Sequence, residues 1–267
     1  MTETKLHLTL VRHGNTNGNR MWIVEGHTDG PLNSTGKHQA KLVAERLKNE
    51  HFDYICSSDL SRAFETASAI AKENTSFNHE RRIEKCKELR ERHFGVAEKT
   101  MILQHYHNAK KEGFKRSDLT RYVPEGGESD DEVRERVRIF LNNLLKKCAS
   151  SKDPDLSVLI VSHGITMREI VRSFIEDYGC TGLSNEVMLD GKRLAKTPNT
   201  GVTQFSLVLN DETSNVISGK CTLFQCKRHL EPSNELIRKF LSFWQGVVEF
   251  FEFLFVLILY LLAKYGL

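Results

Sequence analysis

Leu6, Leu8 and Leu10 alternate with polar neighbours and then meet Val11, the period-two spacing of a strand that closes at Arg12-His13-Gly14. Over residues 34–50 the apolar positions become Ala40, Val43, Ala44 and Leu47, the three-and-four spacing of one helix face. Tyr54-Ile55-Cys56 is a short apolar run ending in Ser57-Ser58-Asp59, which predicts a second strand leading into a helix. Ala63, Ala67 and Ile70 carry that helix to about residue 72. A weaker strand signal covers residues 82–86, and residues 99–112 predict a mostly polar helix. Ser129 and Glu132 have the spacing of a capping box, and the helix they open buries Val133, Val137, Phe140, Leu141 and Leu144. Val158-Leu159-Ile160-Val161 is uninterrupted, as for a central strand covered on both faces, and it ends at Ser162-His163-Gly164. Met167, Ile170, Val171, Phe174 and Ile175 share one face of the next helix. Residues 202–209 and 216–224 predict two more strands, and residues 185–197 read as the long loop.

Strands alternating with helices predict an α/β fold: a mainly parallel central sheet with helices on both faces. Two chemically loaded tripeptides, Arg12-His13-Gly14 and Ser162-His163-Gly164, fall at carboxyl ends of predicted strands, where open α/β sheets bind their ligands. The 267 residues divide into one domain over 1–230 and an apolar helix within 231–267. A formal charge of +3, with bases and acids interleaved, leaves no nucleic-acid footprint. The alternating charges of residues 79–93 read as a solvated face. Six scattered cysteines without a Cys-x-x-Cys pair, behind an N-terminus without signal-peptide layout, read as thiols of a reducing, cytoplasmic compartment. No metal or nucleotide cofactor is implied, since the chain has neither a His-Glu-x-x-His nor a Walker-type Gly-rich loop.

A dianionic phosphate needs several donors in fixed geometry, and arginine supplies a bidentate fork. Arg12 and Arg62 both follow predicted strands and can point to one sheet edge. Gly14 and Gly164 let backbone approach closely, and helix starts near Asp59 and Gly164 add N–H groups aimed at an anion. A histidine nucleophile must be neutral, and cationic arginines disfavour its protonated form. His13 is that candidate. Glu91 is the candidate acid, to protonate the leaving oxygen and later deprotonate water. Each residue has a plainer reading alone: His163 as a core histidine, Arg62 as a solvated helix residue, Glu91 as one of several acids. Together, in β/α order, they converge on phosphoryl transfer.

The runs LVRHGNTNGN, EGHTDGPLNSTGKHQA, SSDLSRAFETA, ELRERHFGVAE, VPEGGES and VSHGITMR resemble the histidine phosphatase, or phosphoglycerate mutase-like, superfamily, in family order over residues 9–203. LRERHFGVAE, PEGGES and TPNTG most resemble its TIGAR-type fructose-2,6-bisphosphatases. The resemblance implies a three-layer sandwich and a cofactor-free phosphatase of sugar bisphosphates, with an influence on glycolytic flux. It implies His13 as phosphohistidine nucleophile, Arg12, Arg62 and His163 as its phosphate pocket, and Glu91 as proton donor and acceptor. Asn19 matches a phosphate-pocket asparagine, and Gly26 lies in the segment that closes over substrate. Three positions depart from the family pattern: Asn15 for Glu, Glu25 for Gln, and Lys99 for Gly. Glu25 adds an acid beside the pocket, which disfavours polyanions; Lys99 either helps bind a second phosphate or faces solvent. Two rivals stay open: a mutase or broad-specificity phosphatase, and an idle phosphate-binding module at a membrane.

Residues 240–263 read FLSFWQGVVEFFEFLFVLILYLLA. The uncharged part, residues 253–263, spans about 16 Å as a helix, roughly half a hydrocarbon core. Gln245, Glu249 and Glu252 fall on one helical face. The segment reads as a tail anchor on an intracellular membrane, as an interfacial helix, or as a helix packed on the domain or on a second subunit.

Overall fold

In the computed structural model, residues 3–78, 82–115, 121–183, 188–189, 193–194 and 197–231 are described. The chain divides into two compact units, Met1–Lys227 and Arg228–Leu267. In the second, Arg228–Leu230 forms a 3₁₀ turn; the apolar helix expected at 240–263 lies outside the described residues. Among the described residues no helix is long and apolar enough to cross a membrane.

In the first unit the elements in chain order begin with β1 (Glu3–Arg12), α1 (Asn17–Arg20), α2 (Ser34–Leu47), β2 (Tyr54–Ser58), α3 (Ser61–Glu73) and β3 (Glu84–Cys86). They continue with α4 (Ile102–Lys111), α5 (Asp130–Ala149), β4 (Asp155–Ser162), α6 (Gly164–Glu176), β5 (Met188–Leu189), β6 (Arg193–Leu194), β7 (Val202–Asn210) and β8 (Val216–Cys226). The six-stranded sheet has the order β3-β2-β4-β1-β7-β8. β3, β2, β4 and β1 run parallel, and β7 and β8 close the sheet antiparallel. Successive side chains of β1 and β4 point to opposite faces. Leu6, Leu8, Leu10, Val158 and Ile160 pack with Val137, Leu141 and Leu144 of α5 and Ile170 and Phe174 of α6. Val11, Leu159 and Val161 pack on the other face with Val43 and Leu47 of α2 and Ala63, Ala67 and Ile70 of α3. The result is the expected three-layer sandwich. Each fully buried Leu, Ile or Val contributes about 1.5–3 kcal/mol of hydrophobic stabilisation, and these positions are 0–4% exposed.

The Ser129 capping box forms, with the Ser129 side chain on the Glu132 N–H and the Glu132 side chain on the Ser129 N–H. Two readings of the sequence need correction. Residues 185–197 are not merely a loop: within them β5 and β6 pair antiparallel, Met188 with Leu194 and Leu189 with Arg193. The polar helix begins at Ile102 rather than Lys99, because Lys99 has φ +66°, outside the helical region. None of the six cysteines is in a disulfide.

Candidate active site

The parallel ladder sets the site. Arg12 pairs with Ser162 across β1 and β4, so the next residue of each strand, His13 and His163, emerge side by side. Their ring centroids lie 5.0 Å apart, and the His13 N–H donates to the Ser162 carbonyl at 3.0 Å. Gly14 is needed because its backbone lies against Gly36 of α2: a Cβ there would meet the Gly36 oxygen at 2.6 Å.

His13 is buried, and its Nδ1 lies 2.7 Å from the Gly14 carbonyl oxygen. A carbonyl only accepts, so Nδ1 carries the proton and Nε2 keeps its lone pair. Burial holds the His13 pKa well below the ordinary imidazole value; the charges of Arg12 and Arg62 push the same way, against the Gly14 hydrogen bond. His163 is lowered likewise, by burial first and then by Arg62, His13 and Arg12. Its Nε2 meets Ser58 Oγ at 2.8 Å. Ser58 Oγ accepts the Leu60 N–H, and among the described residues its own hydrogen has no acceptor but His163 Nε2; with that hydrogen directed there, the imidazole proton of His163 sits on Nδ1.

Arg12 donates through Nη1 to the Thr197 carbonyl at 2.7 Å. Arg62, on the first turn of α3, donates to the Gly26 and Thr28 carbonyls at 2.7 and 3.0 Å. Three buried donors of this cluster, Arg12 Nε, Arg62 Nε and His163 Nδ1, have no hydrogen-bond partner among the described residues. Leaving a buried donor unsatisfied costs about 1–3 kcal/mol. Such a set, gathered about a neutral imidazole, is what a phosphoryl group with its several acceptor oxygens satisfies.

The Glu91 carboxylate accepts the Arg92 and Ile165 N–H groups at 2.9 and 3.1 Å. Gly164 brings α6 close to both partners: a Cβ built there would lie 3.6 Å from the Arg12 guanidinium and 3.7 Å from Glu91 Oε2. Arg12 is lowered by burial and pulled back up by the Glu91 and Glu25 carboxylates. Asn19 sits one step out. Its Nδ2 donates to Glu25 at 3.1 Å, and its Oδ1 accepts from Asn199, which also donates to the His13 carbonyl. One amide hydrogen of Asn19 is left over for a ligand. Gly26 has φ +52°, and a Cβ there would overlap the Glu98 carboxylate. The conformation favours glycine, and so does the space.

The structure thus brings His13, Arg12, Arg62, His163, Glu91 and Gly164 together, with Asn19 and Gly26 as the flank that orients them. Sequence reasoning missed Ser58, Asn199 and Glu98. Glu98 accepts the His27 and Thr28 N–H groups, the Thr28 hydroxyl and the Phe94 N–H, and so fixes the loop that receives Arg62. Burial raises its pKa, but these bonds and His93 outweigh burial and lower it. Residues 79–93 are not simply a solvated face either: Leu89 and Arg92 are buried. Of the departing residues, Asn15 accepts from Asn33 and takes Gln39 on its N–H, which ties it to α2. Glu25 accepts from Thr16 as well as Asn19, and Lys99 is exposed.

Residues 8–184 match the family model of the histidine phosphatase superfamily, branch 1. Fructose-2,6-bisphosphatase TIGAR B of Danio rerio is 33% identical over 240 residues, covering 78% of this chain and 88% of that protein. Phosphoglycerate mutase-like protein 4 of Arabidopsis thaliana is 31% identical, over 77% of this chain and 81% of that protein. A mycobacterial glucosyl-3-phosphoglycerate phosphatase shares the fold with a TM-score of 0.66 at 23% identity, over 84% of this chain and 100% of that one.

Proposed function

The chain belongs to the histidine phosphatase superfamily and is a phosphatase of small phosphorylated compounds; from that premise we propose that it works through a phosphohistidine on His13, with sugar bisphosphates, fructose 2,6-bisphosphate foremost, as substrates. Acting on that compound, the enzyme would influence glycolytic flux. One observation carries the mechanism: a buried His13 with its Nε2 lone pair available, beside unsatisfied donors on Arg12, Arg62 and His163.

In the first half-reaction Nε2 of His13 attacks phosphorus. An N–P bond forms, the bond to the ester oxygen breaks, and Glu91, as a carboxylic acid, gives that oxygen its proton. Arg12, Arg62 and His163 donate to the remaining phosphoryl oxygens as charge spreads over them. In the second, the Glu91 carboxylate takes a proton from water and the water oxygen bonds to phosphorus. The N–P bond then breaks, and His13 returns neutral as inorganic phosphate leaves. The TIGAR-named relatives support the choice of substrate. The phosphoglycerate mutase-like relative supports a second reading, in which the phosphoryl group returns to substrate rather than to water.

The test is a panel of fructose 2,6-bisphosphate, 2,3-bisphosphoglycerate and simple monophosphates, scored for released phosphate and for isomerised product, with ³²P trapped by an alkaline detergent quench that preserves phosphohistidine. Label on His13 and preferred release of phosphate from fructose 2,6-bisphosphate are expected. Turnover with no label on His13 overturns the mechanism, and a preference elsewhere in the panel overturns the substrate.

A further inference from the structure

The carbonyls of Glu88, Leu89, Arg90 and Glu91 run through the segment that carries the acid, and side chains hold all of them. Leu89 accepts from Ser162 Oγ, Arg90 from Thr166 Oγ1, and His27 Nε2 donates to Glu91. The remaining bonds come from one residue, Arg136 in the second turn of α5. Its Nη1 donates to the Glu88 and Arg90 carbonyls at 2.6 and 2.8 Å, and its Nη2 donates to Glu91 at 3.0 Å. Nε and the other Nη2 hydrogen go to the Glu128 carboxylate at 3.0 and 3.1 Å. All five guanidinium hydrogens are therefore used. Glu128 in turn accepts the His93 N–H at 2.8 Å, so the pair grips the chain on both sides of Glu91. The planar fork is required, because lysine offers three donors from one point and cannot reach this set of acceptors.

We propose that Arg136, with Glu128 as its counter-ion, is a positioning residue that holds the Glu91 carboxyl group where it exchanges a proton with the leaving oxygen and with water. The proposal rests on Glu91 being the acid of the proposed function. It does not place Arg136 in contact with substrate: its donors all point into the protein.

An alkyl phosphate needs its leaving oxygen protonated, whereas 2,4-dinitrophenyl phosphate releases an anion that is stable without the proton. Arg136→Lys is expected to lower kcat/KM for the alkyl ester about 100-fold, the cost of misplacing a catalytic group by roughly 1 Å, and for the dinitrophenyl ester less than about threefold. Phosphohistidine should accumulate with the aryl ester, since Glu91 also activates water. Inorganic phosphate affinity and the near-ultraviolet circular dichroism should match wild type. If Arg136→Lys fails to fold, Glu128→Gln keeps the guanidinium and is expected to give the same pattern at about 10-fold. Glu91→Gln run in parallel separates the two readings. Leaving-group discrimination in Glu91→Gln but equal losses on both esters in the Arg136 and Glu128 variants overturns the role of Arg136 alone. No discrimination in Glu91→Gln overturns Glu91 as the acid, and the proposal with it.

Discussion

His13 and His163 leave neighbouring parallel strands in fixed register, whereas Glu91 sits on a segment whose carbonyls are all held by side chains. The nucleophile side is placed by backbone ladder, so its geometry is as rigid as the sheet. The acid side is placed by side chains from α5, α6, β4 and the loop at 25–28. The electrostatics differ in the same way. The first region is a desolvated group of cationic and neutral donors that repels protons. The second is tied by ion pairs such as Arg136 with Glu128 and Arg92 with Asp130. The nucleophile side should therefore fail all at once when its chemistry is removed, and the acid side by degrees as its ties are cut.

The sharpest break in that comparison is His13→Ala. It removes both half-reactions, and kcat is expected to fall by a factor on the order of 10⁴ or more, with no acid-labile phosphoenzyme. Glu91→Gln leaves the nucleophile in place, and a loss on the order of 10²–10³ in kcat is expected, with label still trapped on His13. Steady-state rates and labelling under an alkaline quench, with acid lability as the control, read both. Equal losses would mean the two regions are not separable in this way.

The next test is stability against pH. The folded pKa values of His13 and His163 lie well below the ordinary imidazole value. Above about pH 6.5 both residues are neutral in folded and unfolded chains, and their environment costs nothing in protons. Below it the unfolded chain takes up protons that the folded chain refuses. Stability should then fall by about 1.4 kcal/mol per pH unit for each histidine, until the folded values are reached. Urea unfolding at pH 7.5, 6.5 and 5.5 measures this, and His13→Asn should remove one of the two contributions. His27 and His105, also lowered by burial, form a background that survives the substitution. An unchanged slope in His13→Asn would mean that His13 is not the desolvated group.

The nucleophile side was legible in the sequence because it lies at strand ends. A run such as Leu6 to Val11 followed by Arg12-His13-Gly14 announces both the element and where it stops. The same holds for Val158 to Val161 before Ser162-His163-Gly164. The acid side was less legible: Glu91 could be named as the candidate acid, but it stands among several acids, and the family resemblance is what singled it out. Arg136 lies in Glu135-Arg136-Val137-Arg138, where helical periodicity assigns a solvated charge, and nothing local reports that it turns inward to three carbonyls. Glu98 hides likewise among acids, since its four donors come from residues 27, 28 and 94. Sheet register is encoded in a period of two; a loop held by side chains has no period to read.

Cutting a tie on the acid side has a smaller expected effect. Glu98→Ala leaves the His27, Thr28 and Phe94 donors without their acceptor and loosens the loop whose carbonyls receive Arg62. A fall in kcat/KM of about 10-fold and a stability loss of about 2 kcal/mol are expected, with inorganic phosphate bound more weakly. Phosphate affinity equal to wild type would show that Arg62 holds its place without the loop.

The smallest effect belongs to Lys99, which is exposed and held at φ +66° where the family pattern has glycine. An L-residue in the left-handed region costs about 1–2 kcal/mol, and a glycine gives back part of that through its more flexible unfolded chain. Lys99→Gly should therefore raise stability by about 0.5–1 kcal/mol, read as a higher urea midpoint at unchanged slope. The same variant decides what the side chain does. If Lys99 faces solvent, relative kcat/KM for bisphosphates and monophosphates stays as in wild type while the midpoint rises. If its ammonium group reaches a second phosphate, KM rises for bisphosphates alone. The strained backbone at 99 would then be the cost of selecting substrate by charge, beside a pocket where the Glu25 carboxylate, after that of Glu91, already acts on the charge of Arg12.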